Sequence, residues 1–194
     1  CDVDVLGSRS MIVEAEICAA ASEVLTKLGF SDFCVRLNHR KALTGILGVA
    51  GVALEHHDSA LVALDKLDKI GTDGVKKEFA ARGVNEVAGD RLLKFFSDLT
   101  SLEHAAEIVA EDKSGQALNK AVLGRIVEFV SDNELGAQGV AELQSILDYV
   151  EAIGLSDRLK IDPSLARGLS YYTGAIIEIN VKDLAGSLGG GGRY

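Results

Sequence analysis

The sequence predicts an α+β fold, and three observations carry that expectation. Short runs near both ends alternate apolar and polar residues with the period of a strand. A long middle stretch, residues 43–156, repeats its apolar residues at helical spacing instead. A single proline in 194 residues suits a chain rich in helices.

Taken in order, Cys1, Val3 and Val5 alternate with Asp2, Asp4 and Leu6, so the opening reads as a strand with both carboxylates on one face. Residues 10–28 read as a helix, because Ile17, Ala21, Val24 and Leu28 recur at intervals of 4, 3 and 4 and Gly29 follows as a stop. Phe33, Val35 and Leu37 alternate with Cys34, Arg36 and Asn38, giving a second strand. Asn38 can then cap a helix that opens on His39, Arg40 and Lys41. That basic cluster leaves two readings open, a solvated helix start and a contact to RNA phosphate.

In the middle stretch Leu61, Leu64 and Leu67 step by three, and Leu92, Leu93, Phe95, Phe96 and Leu99 form an apolar stripe. Leu118, Val122, Ile126, Phe129 and Val130 keep the 3.6 period, as do Leu143, Ile146, Leu147, Val150 and Ile153. Glycines 71, 83, 115 and 136 are expected near the junctions. Residues 158–161 return to a strand pattern ahead of a turn at Asp162-Pro163. Finally Ala175, Ile177, Ile179 and Val181 share one strand face, with Tyr172, Ile176, Glu178 and Asn180 on the other.

Composition narrows the function classes. With 47% hydrophobic and 25% charged residues the chain reads as a soluble globular protein, without a signal-peptide pattern or an apolar run of roughly 18 residues. A cytoplasmic setting follows from Cys1, Cys18 and Cys34, which are odd in number and read as free thiols. The net charge of −9 argues against general coating of nucleic acid, so RNA contacts would have to be local. His56, His57 and His104 lack ligand partners at usable spacing, so no metal site is expected. No phosphate-binding glycine loop of the Walker type and no dinucleotide fingerprint is present.

The chemistry-bearing run is Arg167-Gly168-Leu169-Ser170-Tyr171-Tyr172-Thr173-Gly174. A guanidinium five residues before a phenol, at the mouth of a strand, suits recognition of a carboxylate or phosphate. Residue chemistry alone leaves this open beside an ordinary strand with two packed tyrosines. A second run, Gly186-Ser187-Leu188-Gly189-Gly190-Gly191-Gly192-Arg193-Tyr194, reads either as a loop that brings backbone N–H groups close to a ligand or as a flexible one.

The string Arg-Gly-Leu-x-Tyr-Tyr-Thr-Gly closely resembles the histidine-specific signature of histidyl-tRNA synthetases, with Ser170 where that family usually carries Asp. Cys1-Asp2-Val3-Asp4-Val5-Leu6-Gly7 resembles the strand closing the family's second class II motif, and the glycine-rich run resembles its Gly-Gly-Arg-Tyr loop. The resemblance implies part of a class II synthetase antiparallel sheet with helices, plus an inserted all-helical module. Residues 1–42 and 157–194 would form the partial catalytic domain and 43–156 the helical insertion, reaching toward the acceptor arm of tRNA.

What the resemblance implies for the site is specific. Asp4 and Tyr172 would clamp opposite sides of the imidazole of histidine, Tyr171 and Tyr194 would shape the pocket, and Arg167 would be the catalytic cation near the substrate carboxylate and α-phosphate. Histidine, ATP with Mg2+ as co-substrate, and tRNA(His) are the implied partners, with no permanently bound cofactor and a homodimeric full enzyme. An alternative is a synthetase-like regulatory subunit that binds histidine and works with ATP phosphoribosyltransferase, and a plain helical interaction module is a further one.

Neither end looks like a natural terminus, so the chain reads as a fragment. The family's first motif, the arginine-bearing half of the second, the third motif and the anticodon-binding domain are missing from it, and residues 183–186 are short for the family. The polypeptide alone is therefore expected not to form histidyl-adenylate; histidine-dependent pyrophosphate exchange by these 194 residues would refute that.

Overall fold

The computed structural model describes residues 1–109, 115–167, 171–182, 184 and 186–194; Gly168, Leu169 and Ser170 of the tyrosine-bearing run lie outside it, as does Asp183 of the short stretch before the glycines. The described residues build an α+β fold around a four-stranded mixed sheet. Its central strand β1 (Phe33–His39) runs parallel to β2 (Leu159–Ile161) and antiparallel to β3 (Ala175–Val181), in register from Phe33 opposite Val181 to His39 opposite Ala175. β4 (Ser187–Gly192) pairs with the outer side of β3.

The alternation read from the sequence sets the two faces. Phe33, Val35, Leu37, Leu159, Ile161 and Ile177 are buried on one side, packed into the common core. Arg36, Lys160 and Glu178 are cross-strand neighbours and so share the other side. The β2 edge is closed by a buried amide from α6 (Gln116–Phe129): Asn119 Nδ2 donates to the Leu159 carbonyl at 2.8 Å, and Ile161 N–H donates to Asn119 Oδ1 at 2.8 Å. An edge strand supplied with both donor and acceptor in this way offers no free ladder groups at that point.

Helix α1 (Ile12–Lys27) forms close to where the periodicity places it. Beyond β1 come α2 (Arg40–Ala50), α3 (His57–Leu64), α4 (Leu67–Ala81) and α5 (Glu86–Val109), then α6 and α7 (Glu134–Ala152). Their apolar stripes meet in the core: Leu61, Leu64, Leu92, Phe95, Ile126, Leu143 and Ile146 are all buried. Gly83 and Gly115 flank helices as expected and Gly71, with φ +67°, marks a kink that divides α4, whereas Gly136 lies inside the first turn of α7. Gly136 serves packing. A Cβ on Gly45 would stand 2.4 Å from Gly136 Cα, and one on Gly139 2.4 Å from the Ala42 nitrogen, so α2 and α7 approach backbone to backbone. No helix among the described residues is long and apolar enough to cross a membrane.

Three local expectations are corrected. Residues 1–6 alternate as a strand should but, like the rest of the first ten, are exposed and form none, because no strand among the described residues lies alongside to complete the ladder. Asn38 does not cap α2; it is buried, donating to the Pro163 and Leu165 carbonyls, and His39 caps instead, its Nδ1 accepting from Lys41 N–H at 3.2 Å. The glycine run is neither a cradle nor a loose loop but strand β4. A Cβ on Gly192 would stand 2.7 Å from the Tyr172 ring and 2.5 Å from the Ala175 carbonyl, so the missing side chain is what lets an aromatic ring lie on this strand.

Gly139→Ala is expected to lower stability by about 1–3 kcal/mol in urea unfolding, by forcing α2 and α7 apart. Gly124→Ala, on the open face of α6, is expected to raise it by about 0.8–1 kcal/mol, since nothing lies within 4 Å of the added carbon.

Candidate functional site

The candidate site lies on the polar face of the sheet and draws on both ends of the chain. Tyr194 Oη donates to Asp4 Oδ1 at 3.4 Å, a long hydrogen bond between exposed groups. The Tyr194 ring stacks on Tyr171, with centroids 5.6 Å apart and planes 24° from parallel. Tyr171 in turn meets Tyr172 edge to face at 5.4 Å. Tyr172 is half-buried against the core and covers Gly192. Asp4, Tyr171, Tyr172 and Tyr194 are thereby gathered into one cluster.

Arg167 stands beside that cluster rather than in it. Its Nε lies 2.6 Å from Glu178 Oε2, and its Nη1 donates to Ser187 Oγ at 3.2 Å. The Nε–Oε2 approach is a close ion pair without hydrogen-bond alignment, since Oε2 is buried and accepts none. Gly192, over which the Tyr172 ring lies, pairs with Ile176, and Gly190 pairs with Glu178, so the ring and the Glu178 carboxylate lie on the same face of the sheet. The predicted cation and the predicted phenol therefore share a surface. Half of the Arg167 side chain remains open to solvent, although its charge is already matched by a carboxylate.

Glu178 is the centre of the charge network that sequence reasoning passed over. Only 2% exposed, it also accepts from Arg36 Nη1 at 2.9 Å, and Arg36 Nε donates to Asp162 Oδ2 at 2.6 Å. Burial alone would raise the Asp162 carboxyl, but the Arg36 charge, hydrogen bonds from Ser164 and Arg36, and the Lys160 charge hold it below the ordinary carboxylate range. The signal was a lone cation within an apolar strand, which requires a carboxylate opposite. Farther along the same face, Arg36, Asp162, Lys160, Cys34 and Asn180 line a cleft of about 420 Å³ against Phe96, Leu99, Thr100 and Glu103 of α5.

The basic cluster at α2 is occupied within the fold. His39 is fully buried, its Nε2 2.8 Å from Glu142 Oε2, and burial outweighs that carboxylate to hold its pKa below the usual histidine value. Lys41 pairs with Glu142 at 2.5 Å and Arg40 with Asp58 at 2.7 Å. The reading as a solvated helix start gives way to burial and intramolecular pairing. Cys18, on the buried face of α1, has its thiol pushed up to about 12, first by burial and then by Glu14, and takes no part in this surface.

The profile of a family described as histidyl-tRNA synthetase matches residues 3–194. A histidine–tRNA ligase from Gloeobacter violaceus is 38% identical over 195 residues, covering all of this chain and 38% of the relative. One from Flavobacterium johnsoniae is 42% identical over 197 residues, again covering all of this chain and 38% of the relative. The crystal structure of histidyl-tRNA synthetase from Nostoc sp. PCC 7120 superposes with a TM-score of 0.78 at 28% identity, over 96% of this chain and 41% of that one. The fold is also that of an ATP phosphoribosyltransferase regulatory subunit/histidyl-tRNA synthetase from Bacillus halodurans C, with a TM-score of 0.74 at 22% identity over 98% of this chain and 44% of the other. The chain spans about two fifths of the length of the curated relatives it matches.

Glu178→Gln is expected to cost about 3 kcal/mol in urea unfolding, because Arg36 loses one of its two buried carboxylate partners and keeps only Asp162. Arg167→Ala, at a half-exposed pair, is expected to cost less than about 1 kcal/mol.

Proposed function

The chain belongs to the histidyl-tRNA synthetase family, and from that premise we propose that the surface around Asp4, Tyr171, Tyr172, Tyr194 and Arg167 is the amino-acid end of a histidine–tRNA ligase site. The observation that carries this reading is the hydrogen bond from Tyr194 to Asp4, which joins the two ends of the chain around a group of phenols. A carboxylate facing aromatic rings suits an imidazole, whose ring N–H needs an acceptor and whose faces need apolar cover. At 3.4 Å the existing hydrogen bond is long enough for an incoming imidazole to compete for Asp4 at small cost.

In this proposal the histidine carboxylate attacks the α-phosphorus of ATP in line, pyrophosphate leaves, and histidyl-adenylate forms. The terminal adenosine of tRNA(His) then takes the histidyl group, releasing AMP. Negative charge grows on the α-phosphoryl oxygens during the first step, and Arg167 is the cation on this face placed to meet it. For that role its exposed guanidinium edge turns to the substrate while Glu178 keeps the other edge anchored. Mg2+ accompanies the triphosphate as part of the substrate, since it is held largely by phosphate oxygens and water. The helical stretch 43–156 takes the RNA-facing role, a reading supported by α5 standing over the same sheet face and joined to it through Lys160 and Glu103 at 3.3 Å.

Discrimination for histidine comes from polar pairing. A side chain without a ring N–H leaves the Asp4 carboxylate unmatched, at roughly 1–3 kcal/mol. The presence of Arg167, Tyr171, Tyr172 and Tyr194 together favours a ligase over a regulatory subunit of the same fold. In the longer protein, Asp4→Ala is expected to weaken histidine binding about tenfold or more with ATP binding unchanged, as read by calorimetry. Equal losses for both ligands would count against the assignment.

A further inference from the structure

Asp4 belongs to a segment that makes no ladder, yet it is held opposite Tyr194. Apart from local bonds to Ser10 from the first residues of α1, the hydrogen bonds that reach this segment from the rest of the described fold come from Tyr194 and from Arg193. Arg193 Nη1 donates to the Ser8 carbonyl at 3.2 Å and Nη2 to the Ser10 carbonyl at 3.0 Å. The same guanidinium grips Glu14 with both arms, Nε to Oε1 at 2.5 Å and Nη2 to Oε2 at 2.8 Å. Glu14 is 4% exposed and sits in the first turn of α1, a rigid anchor at the end of a helix where negative charge is favoured.

The backbone of Arg193 is fixed as firmly. Its N–H donates to the Ala175 carbonyl at 2.9 Å, and its carbonyl accepts from Thr173 N–H at 2.7 Å. A Cβ on Gly174 would stand 2.8 Å from Arg193 Cδ, so a glycine there is what gives the arginine stem its path. One residue thus ties the start of β3 through its backbone to the start of α1 and the Asp4 segment through its guanidinium, whose five donors in a planar fork suit such a junction.

We infer that Arg193 is a positioning residue: through Glu14 and the Ser8 and Ser10 carbonyls it sets Asp4 against Tyr194, and thereby the acidic side of the pocket. This rests on the proposed amino-acid site only for its functional meaning; the positioning itself is testable with no ligand present. Asp4 raises the Tyr194 pKa first through its charge, with burial, the hydrogen bond and Tyr171 adding to the rise. Two roles for Arg193 then predict opposite signs. If it acts merely as a nearby cation, Arg193→Gln removes charge that favours the phenolate and raises the Tyr194 pKa further. If it positions Asp4, the same substitution frees the carboxylate and lowers the Tyr194 pKa toward its value in Asp4→Asn.

The test is a ligand-free titration of ring-labelled tyrosine by NMR in the full 194-residue chain, with helix content by circular dichroism confirming that each variant folds. A fall in Arg193→Gln to the Asp4→Asn value, with no further fall in the double variant, is expected; no change or a rise overturns the proposal. Should Arg193→Gln fail to fold, Arg193→Lys decides. Its single ammonium cannot serve Glu14 and both carbonyls, so the Tyr194 pKa falls part-way, and an unchanged value overturns the idea. In the longer protein, Arg193→Gln is expected to raise the KM for histidine roughly tenfold or more with that for ATP unchanged. Failure of the unsubstituted protein to bind histidine would sink the site assignment while the titration still judged the positioning.

Discussion

A carboxylate buried in the middle of a strand constrains this fold more than any apolar contact does. Glu178 stands among isoleucines on β3, 2% exposed, and an ionised group there is tolerable only with matched charge beside it. Arg36 supplies one match from β1 and Arg167 another from the connection that precedes β3. Arg36 in turn requires Asp162, which terminates β2 and holds the turn through Ser164. Two regions distant in sequence, β1 and residues 162–178, are thus obliged to meet on one sheet face. The same requirement gives Arg167 its two-sided character, one edge anchored and one edge open.

Missing side chains organise the other half of the site. Gly192 admits the Tyr172 ring, Gly174 admits the stem of Arg193, and Gly45, Gly136 and Gly139 let α7 lie on α2. With α7 also packed on α1 and β1, the helix that bears Glu14 is tied to the sheet that bears the tyrosines. Precision at an exposed cluster such as Asp4, Tyr171 and Tyr194 depends on such buried supports, because the exposed contacts themselves are weak and screened.

Much of the architecture was legible in the residues. Helices α1, α5, α6 and α7 lie where the 3.6 period places them, since one apolar stripe per helix has one way to face a core. Strands β1 and β3 follow from strict alternation, and the tyrosine-bearing run pointed to the correct end of β3. The misses share a cause. The alternation in residues 1–6 describes what a strand would bury but not whether a partner lies alongside. The glycines of β4 carry no pattern, so their pairing with β3 had no signal in the sequence. Asn38 and His39 exchanged the capping role because Asn38 was claimed by carbonyls 125 and 127 residues away.

The amino-acid sequence by itself determined the class of fold, the family, and the residue types offered to a ligand, because periodicity and short motifs are local properties of a chain. Only the tertiary structure decided which charges are already spent. It matched Arg167 and Arg36 to Glu178, enclosed His39 beside Glu142, and set Asp4 beside Tyr194 with Arg193 holding the segment. The physical reason is that ion pairing and burial are set by groups far apart in sequence, and their energies exist only once the chain has brought those groups out of water together.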